Sequence, residues 1–204
     1  MPTQDNDFSQ IDVPLSEAET FHVGQIIALW GMLEHIIFMQ ALESFDTGDR
    51  TDIKLPKTMN NTKFSDVLAH WKARVAEVAP DDRREVLLRQ HERIEALQEP
   101  RNALAHGMWD WSLDDLSRIS TVRVKKQEVI TMHFDAAALE DMSSQLGGII
   151  YKIKYPGGAE DYAGDMVRHG FRLSRQGAAM MAGNPIAEQL LPHMLSLRAI
   201  PDKL

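Results

Sequence analysis

The chain has no cysteine among its 204 residues. This absence excludes disulfide bonds, cysteine nucleophiles and thiolate metal sites, and it is typical of proteins that work in a reducing compartment. Residues 1–14 are polar and acidic, and they lack the basic start and apolar centre of a secretory signal. We therefore expect residues 1–14 to form a flexible N-terminal arm and the protein to be cytoplasmic.

Positive charge is also scarce, because 22 Lys and Arg residues face 30 Asp and Glu residues and the formal net charge is −8. A protein that coats nucleic acid must neutralise many phosphates, so this balance excludes a broad basic surface but not a local basic cleft. The most apolar stretch, residues 23–42, is about long enough to span a bilayer. It contains Gln25, Glu34, His35 and Gln40 and has no basic flank, so we expect no membrane partner.

Several chemical motifs are missing. The sequence contains no glycine-rich phosphate loop and no Gly-x-Ser-x-Gly nucleophile elbow. Its eight histidines are not spaced as metal ligands on one helix face. We therefore expect neither a cofactor nor a metal site.

Hydrophobic residues recur at helical spacing along most of the chain. Ser16 and Glu19 form a predicted capping box at the start of a long helix, Thr62 precedes a second helix, and Pro80 opens a third. The first helix is apolar around most of its circumference, so part of its surface is expected to meet a second chain. The expected core positions are Ile26, Trp30, Leu33, Ile37 and Ala41 in the first helix, Phe64, Val67, Leu68, Trp71, Val75 and Val78 in the second, and Val86, Leu87, Ile94, Leu97 and Leu104 in the third.

The fold class that follows is mostly α, an up-and-down helical bundle with one inserted β-hairpin. Two β-rich runs separated by the polar turn Lys126-Gln127-Glu128 predict the hairpin at about residues 117–134. A fourth helix follows Asp135. Residues 15–155 are expected to form the bundle, and residues 156–204 a C-terminal helical extension that packs on it.

One segment concentrates chemically active side chains: Arg101-Asn102-Ala103-Leu104-Ala105-His106, followed by Gly107. Arg101 offers a planar fork of donors for an anionic oxygen, and His106 can exchange a proton near neutral pH. Gly107 is the expected helix-ending residue. His106 therefore falls in the last turn, where unpaired carbonyls favour the imidazolium form and suit a general acid.

The charges around this segment need partners. Glu34 lies on the apolar stripe of the first helix, and the stripe of the third helix continues from Leu97 to Arg101, so we expect Glu34 and Arg101 to pair. Asn102 and His106 are four residues apart and are expected to share a face. Arg101 and His106 are separated by about 140° on an ideal helix, so one chain alone is not expected to aim both at one atom.

The Arg101–His106 segment resembles the motif of the HEPN superfamily, all-α helical bundles whose catalytic members carry an Arg, four to six residues, then a His, often with a polar residue after the Arg. The order of helices from Ser16 to Ile153 is similar as well. The resemblance implies a homodimer in which two motifs meet in one cleft. In active members it implies a metal-independent endoribonuclease, here of toxin or defence type with an antitoxin or regulatory protein as partner.

Carried over to this chain, the resemblance implies that Arg101 binds the scissile phosphate of RNA. His106 would exchange a proton with the 2′-hydroxyl or with the 5′-oxygen leaving group, which leaves a 2′,3′-cyclic phosphate. Asn102 would add an amide donor or fix His106, and Glu34 would hold Arg101. This is acid–base and electrostatic catalysis that needs no metal.

Other interpretations of these residues stay open. Glu34 and Arg101 also suit a buried ion pair that fixes helix register, and His106 suits a helix cap. Arg84 and His91 repeat the Arg-to-His spacing, and we expect them on a solvated charged face. The main alternative function is a non-catalytic HEPN-like dimeric module that binds a protein or a nucleotide. In such a module Arg101 and His106 would be buried, whereas in an enzyme both would be accessible to solvent. A third hypothesis is a helical scaffold unrelated to the HEPN superfamily.

Two further groups of residues are interpreted structurally. The densest basic cluster, Arg123 with Lys125 and Lys126, is expected in a solvated turn, with RNA contact as the alternative. The tryptophans have no interleaved Lys or Arg, so they are expected in the core or an interface rather than as platforms for base stacking. They are Trp30, Trp71, Trp109 and Trp111.

Overall fold

The computed structural model describes residues 15–45, 55–60 and 63–169. The predicted N-terminal arm and residues 170–204 of the predicted extension lie outside these ranges. The described elements are α1 (Glu17–Glu43), α2 (Lys57–Asn60), α3 (Phe64–Trp71), a π-helical turn (Lys72–Ala76), α4 (Asp81–His106), β1 (Met108–Ser112), β2 (Asp115–Lys125), β3 (Glu128–Phe134), α5 (Ala136–Lys154) and α6 (Ala159–Arg168). The fold is mostly α with an inserted β element, as predicted.

The central element is α1, which packs against α3, α4 and α5. The predicted capping box is present: the Ser16 hydroxyl accepts from the Glu19 amide at 3.3 Å, and the Glu19 carboxylate accepts from the Ser16 amide at 2.7 Å. All five predicted core positions of α1 are buried. The hydrophobic stripe therefore determines which face of α1 points inward.

By length and composition, α1 is long and apolar enough to cross a membrane, and no other helix in the described ranges is. A core helix meets the same criteria. Its packing against three other helices and its fully buried stripe are the features of a core helix.

The second predicted helix differs in its last part. After α3 the chain forms the π-helical turn, which has more residues per turn than an α-helix. The residue that faces the core is therefore shifted by one position, and Ala76 rather than Val75 is fully buried. Val78, predicted in the core, is exposed. The cap residue of α3 is Lys63, which makes no side-chain cap; Thr62 lies outside the described residues.

The inserted element is a three-stranded antiparallel sheet in the order β1-β2-β3. The predicted hairpin is confirmed as β2 and β3, and β1 adds a strand whose Trp109 pairs with Thr121. One face of β2 packs against α4. The hairpin turn places Lys126 at φ 50° and Gln127 at φ 70°, both in the left-handed region that favours glycine and asparagine.

The first part of the predicted C-terminal extension packs on the bundle through α6. Asp161 accepts from Arg83 of α4 at 2.7 Å, and Asp165 accepts from the Tyr155 hydroxyl at 3.0 Å. Burial and this carboxylate together raise the pKa of Tyr155. Tyr162 of α6 also packs edge-on against the Tyr155 ring, with the ring centroids 5.1 Å apart, so α6 is held by polar and aromatic contacts although none of its side chains is fully buried.

Candidate active site

Arg101 projects from α4 toward α1 and lies beside Glu34, as predicted. The distance from Arg101 Nη2 to Glu34 Oε1 is 3.8 Å, and the side chains are 21% and 36% exposed. The alternative interpretation, a buried ion pair that fixes helix register, is not supported, because solvent reaches both side chains. An ion pair of this length between partly exposed side chains contributes at most about 1 kcal/mol to the stability of the protein. Glu34 therefore orients Arg101 but does not use all of its N–H donors.

Trp30 and Asn102 complete the surroundings of the Arg101 guanidinium. Trp30 Nε1 donates to Glu34 Oε1 at 2.8 Å, and its ring centroid lies 5.4 Å from the guanidinium carbon, a cation–π distance. Arg101 Nη1 donates to Asn102 Oδ1 at 3.2 Å. Asn102 is thus bound to Arg101, and within the described residues it forms no hydrogen bond to His106, contrary to one of its expected roles.

These side chains form one wall of a cleft of about 330 Å³. Arg101 Nε is buried without a hydrogen-bond acceptor in the described part of the chain, so the guanidinium keeps a donor that is not used. The cleft reaches solvent and is the size of a small-ligand site. It is lined by Trp30, Glu34, Lys63, Phe64, Ser65, Gln98, Arg101 and Asn102.

His106 does not line this cleft. It is the last residue of α4, and its side chain is exposed. Five residues separate it from Arg101, which on a helix means about 7.5 Å of rise and about 140° of rotation. The structure therefore leaves both side chains open to solvent but does not bring them together within one chain, as their spacing predicted.

Gly107 ends α4 as predicted, although for a different reason. Its φ of −77° is accessible to any residue, so no left-handed conformation requires glycine here. A Cβ at this position would instead lie 2.5 Å from the Ala103 carbonyl oxygen and 2.7 Å from the Thr121 Cβ. Glycine allows β2 to pack directly against the helix end that carries His106.

Only one residue of the second Arg-to-His pair lies on the surface, where both were expected. Arg84 is on the surface and pairs with Asp81 at 2.8 Å, but His91 is buried rather than solvated. Burial lowers the pKa of His91, and the Glu95 carboxylate, 3.4 Å from its Nδ1, only partly opposes this effect. The reason is its position, since His91 lies one turn from the buried Leu87 on the same face of α4.

The basic cluster of the hairpin is largely used by the fold. Glu99 of α4 contacts Arg123 and accepts from Lys125 Nζ at 2.8 Å, so two of the three cations anchor the sheet to α4. The expectation of a solvated turn is wrong for Arg123, whose side chain is mostly buried. Of the tryptophans, Trp30 and Trp71 are in the core, Trp109 is half-buried and Trp111 is exposed.

A larger groove of about 910 Å³ lies between the end of α1, the start of α4 and α6. Both arginines that line it are already paired within the chain, Arg83 with Asp161 and Arg168 with Asp165. In the described part of the chain, no group of three His, Asp or Glu side chains is placed to hold a metal ion. The smaller cleft is therefore the stronger candidate for a site.

Sequence reasoning missed five residues of this cleft, two of which, Trp30 and Phe64, were expected only in the core. Gln98 was detectable, since it precedes Arg101 and Asn102 by three and four positions on the same helix. Lys63, Phe64 and Ser65 come from α3, and no pattern in the sequence links them to α4.

Comparison of the chain with protein-family models, with curated proteins and with solved structures finds no match. What the site can do must therefore be deduced from its own residues.

Proposed function

We propose that the protein is a HEPN-like, metal-independent endoribonuclease. The observation that carries the proposal is the Arg101 guanidinium, which is partly exposed at the edge of an open cleft and contacts Glu34 only at 3.8 Å. A fork of donors with spare capacity suits a phosphodiester, because it can bind two anionic oxygens at once. The exposed His106 at the end of the same helix supplies a group that transfers protons at neutral pH.

In the proposed reaction, Arg101 binds the non-bridging oxygens of the scissile phosphate and stabilises the charge that develops on them. The 2′-oxygen attacks phosphorus and loses its proton, the bond from phosphorus to the 5′-oxygen breaks, and that oxygen gains a proton. His106 mediates one of these proton transfers. The products are a 2′,3′-cyclic phosphate and a 5′-hydroxyl. Glu34 and Asn102 are positioning residues, since each contacts Arg101.

We propose that two copies of the chain share the reaction, so that Arg101 of one copy works with His106 of the other. An exposed apolar residue of α1, Ile27, supports this arrangement. Ile27 lies two turns before Glu34 on the same face, so an apolar side chain lies next to the cleft. A cytoplasmic location and a regulatory partner of antitoxin type belong to the same proposal.

The second candidate is a non-catalytic HEPN-like module that binds a nucleotide or a protein. It is favoured by one observation, the absence of His106 from the lining of the cleft that contains Arg101. The enzyme is preferred because neither Arg101 nor His106 is covered.

The first test is cleavage of a labelled RNA pool in EDTA, with the product ends mapped. We expect cyclic phosphate ends from the wild type, a loss of at least about 100-fold for Arg101→Ala, and about 100- to 10,000-fold for His106→Ala. Arg84→Ala is the matched control, because Arg84 belongs to the other Arg-to-His pair, and it should cleave normally. Folded, dimeric wild type that cuts none of the RNAs would refute the enzyme and favour the binding module.

Mixing the two inactive variants tests whether the site is shared. If Arg101 and His106 act from different copies, each mixed dimer contains one intact site, and an equal mixture regains about a quarter of wild-type activity. If both act from one copy, every site lacks one of them and no activity returns. The second outcome would refute the shared site. The ribonuclease proposal itself would then be judged by the cleavage assays of the two single variants.

A further inference from the structure

Building on the proposed function, we infer that Lys63 is a second phosphate-binding residue of the Arg101 cleft. The cleft then binds the phosphate of an RNA strand between two helices, with Arg101 on α4 and Lys63 at the start of α3. Nothing in the sequence motif indicates Lys63, which lies far from Arg101 along the chain.

The charges of the cleft support an anionic ligand. Its lining contains two cations, Lys63 and Arg101, against one carboxylate, Glu34, although the chain as a whole carries a net charge of −8. Within the described residues Lys63 forms no ion pair, whereas Arg123 and Lys125 of the hairpin are paired with Glu99. The cleft is therefore a local basic site on an acidic protein, the arrangement that the overall composition allows.

The donors of the cleft come from both walls. Arg101 presents the exposed edge of its planar guanidinium, and Lys63 adds a point charge on a flexible stem. Lys63 is also the cap residue of α3 and makes no side-chain hydrogen bond to the first turn of that helix, where Ser65 lines the cleft as well. An anion seated between the walls would pair with the Lys63 ammonium and with the exposed edge of the Arg101 guanidinium.

The experiment measures binding rather than cleavage. A single-stranded 2′-O-methyl oligonucleotide is the probe, because it carries phosphates but has no 2′-hydroxyl to attack them. Its affinity is measured against salt concentration for the wild type and for Lys63→Met, with Lys63→Arg as the variant that keeps the charge. Lys152→Met is the matched control, since Lys152 is an exposed lysine of α5 outside the cleft.

We expect Lys63→Met to bind several-fold more weakly and to reduce the slope of log affinity against log salt by about 0.7, the loss of one phosphate contact on a single strand. Lys63→Arg and Lys152→Met should keep the wild-type slope. A wild-type slope in Lys63→Met, or an equal loss in Lys152→Met, would overturn the inference. Circular dichroism of each variant separates loss of contact from loss of fold.

Two outcomes distinguish this inference from the proposed function. If the wild type binds the probe through Lys63 but cleaves no RNA, the phosphate site stands and the ribonuclease fails. If the wild type cleaves RNA and Lys63→Met binds and cleaves equally well, the ribonuclease stands and the inference fails. Inorganic phosphate should compete with the oligonucleotide in a Lys63-dependent manner; failure to compete would show that the cleft does not recognise phosphate itself.

Discussion

Replacing Gly107 by alanine should strongly destabilise the junction between α4 and the sheet. The added Cβ would lie 2.5 Å from the Ala103 carbonyl oxygen and 2.7 Å from the Thr121 Cβ. Carbon atoms in proteins usually approach other carbons no closer than about 3.5 Å, so the overlap with Thr121 is about 0.8 Å. Neither neighbour is the end of a flexible side chain, because one atom is backbone and the other is the branch point of a buried residue.

Relief of the overlap with Thr121 requires β2 to move away from the end of α4, and relief of the overlap with Ala103 requires the last turn of α4 to change. The Ala103 carbonyl is held in place because it accepts the Gly107 amide at 2.9 Å. Overpacking of this kind costs about 1–3 kcal/mol, and with rigid groups on both sides we expect about 3 kcal/mol. For a chain of this size that corresponds to a fall in melting temperature of about 6–12 °C. The φ of Gly107 is ordinary, so the whole effect is steric.

The assay is thermal unfolding followed by circular dichroism, with Gly148→Ala as the control. Gly148 is an exposed residue within α5, and a Cβ there would meet no atom within 4 Å. The same substitution should therefore stabilise α5 by about 0.5–1 kcal/mol through the lower entropy of the unfolded chain. The reasoning is refuted if Gly107→Ala melts at or above the wild-type temperature, or if both variants lose stability equally.

Two other features of the fold allow tests by unfolding experiments. Replacing Lys126-Gln127 by Asn-Gly should stabilise the protein by about 1–2 kcal/mol, because both positions have positive φ; an unchanged melting temperature would contradict this. Burial lowers the pKa of His91 below its ordinary value of 6.5, so in acid the unfolded chain takes up a proton that the folded chain excludes. The free energy of unfolding should fall as the pH drops below about 6.5, at up to about 1.4 kcal/mol per pH unit, until His91 titrates in the folded state. Urea titrations at several pH values should show this slope in the wild type and a smaller slope in His91→Gln; equal slopes would exclude His91 as its source.

Helix periodicity was informative wherever one face of a helix meets the core. The stripe from Ile26 to Ala41 and the capping box at Ser16 are local patterns, and the structure contains both. The pairing of Glu34 with Arg101 was also predictable. Each charge lies on the inward stripe of its helix, and a charge that is removed from water without a partner is costly. The contact of Glu34 with Trp30 was overlooked, although the two are four residues apart.

Other features of the fold depend on helix winding and on long-range packing, which a hydrophobic stripe in the sequence does not specify. The π-helical turn changes the number of residues per turn after Trp71, so Val78 faces solvent instead of the predicted core. His91 was placed on the surface because its neighbours in sequence are charged, but its spacing from Ile94 predicts the core face. Lys63 joins the cleft only through the packing of α3 against α1, a long-range contact that the sequence does not encode locally.

Trp30 couples the cleft to an optical property of the protein. Its indole is buried, donates to the carboxylate that orients Arg101, and lies beneath the guanidinium. Indole emission responds to the hydrogen bonding of its N–H group and to nearby charge. An anion bound in the cleft, as proposed, would draw Arg101 away from Glu34 and alter both, so we expect its binding to change the emission of Trp30. The unlabelled chain would then carry its own reporter one side chain away from the proposed ligand.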